Sequence, residues 1–189
     1  MSPQKNKAKP LNRKTILLAL SGSIALYKSC DLLRNLKEAG AEVHCVMTAG
    51  AQKFISALTF QALSGHPVHT DPFDQNGDWA VLHTTLADKA DLILVSPASA
   101  NLIARMAGGM ANDLVTSVVL ASRAKVLLVP AMNDHMYTHP ITQDNLKRLK
   151  QIGYQVVEPI EGELVCGRHS VGHIAENETI IKKVITVLK

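Results

Sequence analysis

Between Thr15 and Leu188 the chain alternates short apolar runs with longer amphipathic segments, and few folds accommodate that alternation. Thr15–Leu20, Glu42–Met47, Asp91–Val95 and Lys125–Val129 have strand length, and Val68–His69 and Tyr154–Val157 are shorter candidates. Near-continuous apolar strands are those covered on both faces. The segments between them carry helical periodicity: Ser23–Ala39, stopped by Gly40; Gly50–Leu63; His83–Ala90; Asn101–Met106; Asn112–Ser122; Ile141–Ile152, stopped by Gly153; and Thr179–Leu188. Such alternation implies right-handed crossovers and a parallel sheet with helices on both sides. The expected fold is α/β, a three-layer Rossmann-like or flavodoxin-like arrangement around a parallel sheet of about six strands. Asp71–Asp78 reads as a polar loop. Glu158–Gly172 reads as a loop long enough to serve as a lid.

The chain of 189 residues suits one domain, over 15–189, and shows neither an internal repeat nor a domain-scale linker. Its net charge of +4 is unevenly placed. Lys5, Lys7, Lys9, Arg13 and Lys14 supply five positive charges with no acid among them, and without them +4 becomes −1. Residues 1–14 therefore read as a flexible basic arm on a nearly neutral domain. Aromatic residues make up 4% of the chain, which disfavours base stacking, so no nucleic-acid partner is expected. No apolar run approaches membrane-spanning length, so no membrane role is expected. The apolar run after the basic segment breaks at Ser21-Gly22-Ser23 without a cleavage site, as a buried strand rather than a signal peptide would. Three cysteines, Cys30, Cys45 and Cys166, give no disulfide framework and suit the cytoplasm; Cys30 and Cys45 read as core fillers.

Open parallel sheets bind ligands beyond the carboxyl ends of their strands. Polar clusters stand at four such ends here: Ser21-Gly22-Ser23, Thr48, Ser96–Asn101 and Asn133 in Pro130–Tyr137. A dinucleotide site would need G-x-G-x-x-G and an acidic residue after the second strand, and neither is present. There is no G-K-[ST] phosphate loop either, so NAD and ATP are disfavoured. A monophosphate held by hydroxyls and backbone N–H groups fits. Taken alone, Ser23 and Ser99 read better as simple helix caps, and only the coincidence of polar residues at several strand ends lifts the ligand reading above that. His83, Cys166 and Asn133 could do chemistry, but spacing alone favours a structural role for each of them over a catalytic one. Cys166, His169 and His173, and separately His135 and His139, have spacings compatible with zinc, although neither set supplies four ligands.

Taken together, SGSIALYK at Ser21–Lys28, VMTAGAQKF at 46–54, His83 with Ala87-Asp88, SPASAN at Ser96–Asn101, PAMNDHMY at Pro130–Tyr137 and LVCGRHSVG at Leu164–Gly172 resemble the flavin-containing cysteine decarboxylases. The resemblance covers nearly all of Lys14–Lys189. It implies bound FMN, contacted by Gly22, Ser23, Thr48, Ser99, Ala100 and Asn101, at an interface between subunits of a homotrimer or an assembly of trimers. It implies His83 as base, Asn133 as the substrate-binding amide, Met136 beside it, and Cys166 as proton donor. Within the family the motifs look most like the branch acting on 4'-phosphopantothenoylcysteine in coenzyme A biosynthesis. There the substrate is oxidised to a thioaldehyde, carbon dioxide leaves, and the enethiolate is reduced. In many bacteria that activity is fused to a synthetase, which here is expected to be a separate protein. The alternatives are a peptidyl-cysteine decarboxylase, a flavin prenyltransferase and a non-catalytic phosphatase regulator. The chain departs from the family pattern at Leu102, Asn112-Asp113, Ser170 and His173-Ile174.

Overall fold

The computed structural model describes residues 9–73, 81–165 and 167–189. Part of the expected arm (1–8), part of the expected polar loop (74–80) and Cys166 lie outside these residues.

The expected alternation folds into a six-stranded sheet, ordered β3-β2-β1-β4-β5-β6 and parallel throughout. The strands are β1 (Thr15–Leu20), β2 (Glu42–Met47), β3 (Val68–His69), β4 (Leu92–Ala98), β5 (Lys125–Pro130) and β6 (Gln155–Val156). Period-2 alternation divides the central strands between two cores. Ile16, Leu18, Leu20, Leu92, Leu94, Leu127 and Val129 face one side. Leu17, Ala19, Ile93, Val95, Val126 and Leu128 face the other. On the first side the sheet packs against α1 (Lys28–Glu38), α2 (Ala57–Ser64) and α8 (Asn177–Leu188) through Leu32, Leu33, Leu36, Phe60, Ile180 and Val184. On the second it packs against α3 (Leu82–Lys89), α4 (Ala100–Ala107), α5 (Leu114–Ala121) and α7 (Pro140–Gln151). Burial of both faces explains why these strands read as unbroken apolar runs.

Three expectations need correction. The segment expected as one helix over Gly50–Leu63 is a short 3₁₀ turn (Ala51–Lys53) followed by α2, because the Ser56 side chain accepts the Leu58 N–H and restarts the helix. The expected loop Glu158–Gly172 contains an antiparallel hairpin, β7 (Ile160–Glu163) with β8 (His169–His173). The described part of the basic arm is anchored at one point: Leu11 is fully buried and its N–H donates to the Ala39 carbonyl at 2.9 Å, while Lys9, Pro10, Asn12 and Arg13 are exposed. A short helix, α6 (Asp134–Thr138), also precedes α7.

The core-filler reading of the first two cysteines holds. Cys45 is buried in the first core, where burial pushes its thiol up to about 12, and Cys30 packs against the same cluster. Among the described residues no helix is long and apolar enough to cross a membrane.

Candidate active site

The strand order reverses between β1 and β4, so the connections from their carboxyl ends depart in opposite directions and leave a crevice. A cleft of about 1120 Å³ opens there. That volume lies just above the usual range for small-molecule sites, which leaves room for a nucleotide-sized cofactor and a second molecule.

Every residue expected to touch a cofactor lines this cleft: Gly22, Ser23, Thr48, Ser99, Ala100 and Asn101. So do Asn133 and Met136. The capping reading of the serines is also correct. Ser23 Oγ accepts the Ala25 N–H at 3.3 Å, and Ser99 Oγ accepts the Leu102 N–H at 3.3 Å. One hydroxyl thus ends a helix and faces the cleft, because a helix that starts at the carboxyl end of a strand puts its first turn at the crevice. Leu102, a departure from the family pattern, is buried in the second core and is not among the cleft-lining residues.

The loops after β1 and β2 touch through their backbones. A Cβ on Gly22 would meet the Gly50 carbonyl carbon at 3.1 Å, so the trough between them depends on glycine at 22. Opposite it lies the first turn of α4, whose leading N–H groups have no intrahelical acceptor. Ile24, Phe54, Met132, Leu164 and Ile174 supply apolar wall. Backbone donors, hydroxyls and an apolar wall suit the phosphate and ring of the flavin mononucleotide that the motifs imply.

Asn133 is the N-cap of α6, and its Oδ1 accepts the His135 N–H at 3.0 Å. Its strand-end position follows from β5, and its orientation is fixed from the other side by the hairpin. The Met132 N–H donates to the Gly172 carbonyl at 3.1 Å. Arg168 pairs with Asp134 at 2.6 Å. Tyr137 donates to Glu158 at 2.7 Å, and burial together with that carboxylate pushes the phenol up to about 12. The expected lid is therefore a hairpin docked on α6, with Leu164 and Val165 at the cleft.

The structure does not bring His83 to this site. It lies in the first turn of α3 and is absent from the residues lining the cleft. Cys166 lies outside the described residues. Of the spacing-based zinc sets, one includes Cys166 and so lies partly outside the described residues. The His139 ring accepts the Ile141 N–H as a helix cap, and no three-donor cluster among the described residues includes His135, His139, His169 or His173.

Sequence reasoning missed the Arg105–Asp113 pair, which lines the cleft with Asn112. Arg105 Nη1 lies 2.6 Å from Asp113 Oδ2, and Arg105 Nε is buried without a hydrogen-bond partner among the described residues. The available signal was spacing: Arg105 is four residues after Asn101 and therefore on the same face of α4.

A family model described as Flavoprotein matches residues 4–189. Over 172 residues the chain is 48% identical to the coenzyme A biosynthesis bifunctional protein CoaBC of Bacillus subtilis (strain 168), covering 91% of this chain and 42% of that one. It thus spans about two fifths of the length of that bifunctional relative. Over 173 residues it is 44% identical to a probable phosphopantothenoylcysteine decarboxylase of Streptococcus mutans, covering 90% of this chain and 97% of the relative. A solved structure of a cysteine-to-serine PPC decarboxylase mutant complexed with pantothenoylaminoethenethiol superposes with a TM-score of 0.80 at 30% identity, covering 92% of this chain and 97% of that chain. The FMN-dependent cysteine decarboxylase SpaF superposes with a TM-score of 0.83 at 29% identity, covering 94% and 98%.

Proposed function

The chain belongs to the Flavoprotein family, and from that premise we propose that it decarboxylates 4'-phosphopantothenoylcysteine to 4'-phosphopantetheine, with FMN as cofactor, in coenzyme A biosynthesis. The observation that carries the reading is the convergence of Ser99–Asn101, Asn133 and Met136 on one cleft at the β1–β4 reversal.

FMN, when bound, supplies a reversible hydride acceptor for the carbon bearing sulfur, and so provides the electron sink that a cysteinyl carboxylate otherwise lacks. Gly22, Ser23, Thr48, Ser99, Ala100 and Asn101 hold it. The Asn133 amide binds the substrate carboxylate without opposing its charge, and Met136 packs beside the substrate. His83 acts as the base. Cys166 keeps a proton for the enethiolate carbon, so it must remain a thiol; an unperturbed thiol, with a pKa of about 8.5, does so at neutral pH. The ethenethiol complexed with the related cysteine-to-serine mutant supports this role, since that molecule still carries an unreduced carbon–carbon double bond.

The active form is a homotrimer or an assembly of trimers, in which His83 of the partner subunit completes each cleft. Two observations support this. His83 does not line the cleft of its own chain, and the cleft rim is apolar and open, with Ile24 53%, Tyr27 59%, Phe54 50% and Val165 82% exposed. Apolar rims of this kind mark binding or subunit contacts.

The test is direct. The purified protein is assayed for heat-released FMN, then given 4'-phosphopantothenoylcysteine while carbon dioxide and product are measured, with a cysteine-terminated peptide as second substrate. Stoichiometric FMN and turnover of the small substrate are expected. A flavin-loaded protein that decarboxylates only the peptide would transfer it to the peptidyl branch, and a flavin-free protein would end the reading.

A further inference from the structure

At the other end of β2 from the cleft, Glu42, His44 and His66 bring three metal-ligating atoms together, all within 4.8 Å of one another. The strand runs from Glu42 to Met47 before Thr48 enters the cleft, so the two sites are separated by about 20 Å at the usual strand rise. Glu42 and His44 are two apart on one strand and therefore project from the same face. His66 arrives from the connection between α2 and β3. Gly65, at φ +80°, turns the chain after α2, and the Ser64 hydroxyl accepts the His66 N–H at 3.1 Å. The Lys37 ammonium holds the same turn by donating to the Leu63 and Ser64 carbonyls at 2.8 and 2.6 Å. His66 is thus positioned by backbone contacts independent of the two side chains it faces.

We propose that Glu42, His44 and His66 form a binding site for a borderline divalent transition cation of the zinc class. His44 Nε2 lies 3.0 Å and His66 Nε2 3.8 Å from Glu42 Oε1. Metal–ligand bonds of 2.0–2.1 Å in a tetrahedron place ligand atoms about 3.4 Å apart, so the two separations bracket the required edge. The imidazole rings lie with centroids 4.3 Å apart and 30° between planes. Two imidazoles and one carboxylate suit zinc, nickel or copper better than magnesium or calcium, which favour all-oxygen shells. The fourth position opens to solvent, since the Glu42 and His66 side chains are 55% and 36% exposed. A bound cation would bridge β2 to the α2–β3 turn and tie down the edge of the sheet beyond the two-residue β3.

The experiment titrates Zn²⁺ alone into the purified full-length protein by calorimetry and reads Co²⁺ in its place by visible absorbance. Expected are one ion per chain at micromolar affinity or tighter and a Co²⁺ spectrum without a thiolate charge-transfer band. His66→Ala and Glu42→Gln should each weaken binding by at least the roughly 10–100-fold that lost supporting contacts cost. Both variants should keep their flavin, which reports folding, and Cys166→Ser should bind Zn²⁺ like wild type. Binding only in the millimolar range, affinity unchanged in His66→Ala, or a thiolate band would overturn the proposal.

Discussion

The backbone N–H of Ser99 donates to the Ser21 hydroxyl at 2.9 Å, across the point where the strand order reverses. The same hydroxyl donates to the Pro97 carbonyl at 2.7 Å, and Ser21 is 1% exposed. One buried side chain thus joins the ends of β1 and β4, the two strands whose following turns form the opposing walls of the cleft.

Ser21→Ala removes both bonds and leaves the buried Pro97 carbonyl and the part-buried Ser99 N–H without this partner, at a cost of about 1–3 kcal/mol for the buried group and less for the one at the cleft. Urea denaturation should show the loss. Flavin affinity should fall with it, because the two walls are no longer held in register. Unchanged stability and flavin content would show that water replaces the hydroxyl.

Gly172 lets the hairpin seat against the loop that carries Asn133. At φ +129°, a Cβ there would lie 2.3 Å from the Met132 carbonyl oxygen. Gly172→Ala should displace the hairpin and raise the KM for substrate about tenfold or more, with FMN content retained. Loss of kcat alone, at constant KM, would indicate a different role for this contact.

His83 and Asn133 offer a test of the shared site. His83→Asn and Asn133→Asp should each abolish turnover, the second because a new carboxylate repels that of the substrate. If the two residues meet across a subunit interface, co-expressing the variants should regain a fraction of wild-type activity in mixed oligomers. No recovery in demonstrably mixed oligomers would place both residues in one subunit's site.

Cys166→Ser should bind FMN, consume one equivalent of substrate and release carbon dioxide. It should then stall, with a product two mass units below the saturated thiol, since a hydroxyl is a far weaker acid than a thiol of pKa about 8.5. Single-turnover mass spectrometry distinguishes this from sustained turnover, which would pass the proton to another donor.

Acid stability should depend on Asp113. Burial alone would raise its carboxyl pKa, but the Thr116 N–H, the Arg105 guanidinium and the Thr116 hydroxyl outweigh burial and hold it below the ordinary 3.8. A folded pKa below the unfolded one contributes stability above the unfolded value, and that contribution disappears as pH falls through the folded value. Asp113→Asn should therefore lower stability at neutral pH and flatten the decline as pH falls through and below 3.8 in urea titrations. A parallel acid limb in wild type and variant would exclude this pair as its source.

Local pattern in the sequence determined the elements and the polar ends of the strands. Burial on both faces writes β1, β4 and β5 as continuous apolar runs, and Ser23, Ser99 and Asn133 stand immediately beyond the strands or at the helix starts that follow. The hairpin left no such signal: β7 reads Ile-Glu-Gly-Glu and is mostly exposed, so no buried face imposed alternation on it. Leu11 was hidden for the opposite reason, as one apolar residue in a basic segment has no period to reveal that it joins the first core. What the tertiary structure alone decided was which distant residues meet. Ser21 reaches Ser99 only because β4 inserts beside β1, and His66 reaches Glu42 only because the crossover through α2 returns the chain to the edge of β2. The same strand order leaves His83 on α3, away from the cleft that its motif implied. Strand order is a long-range choice set by how whole layers pack, and no window of neighbouring residues encodes it.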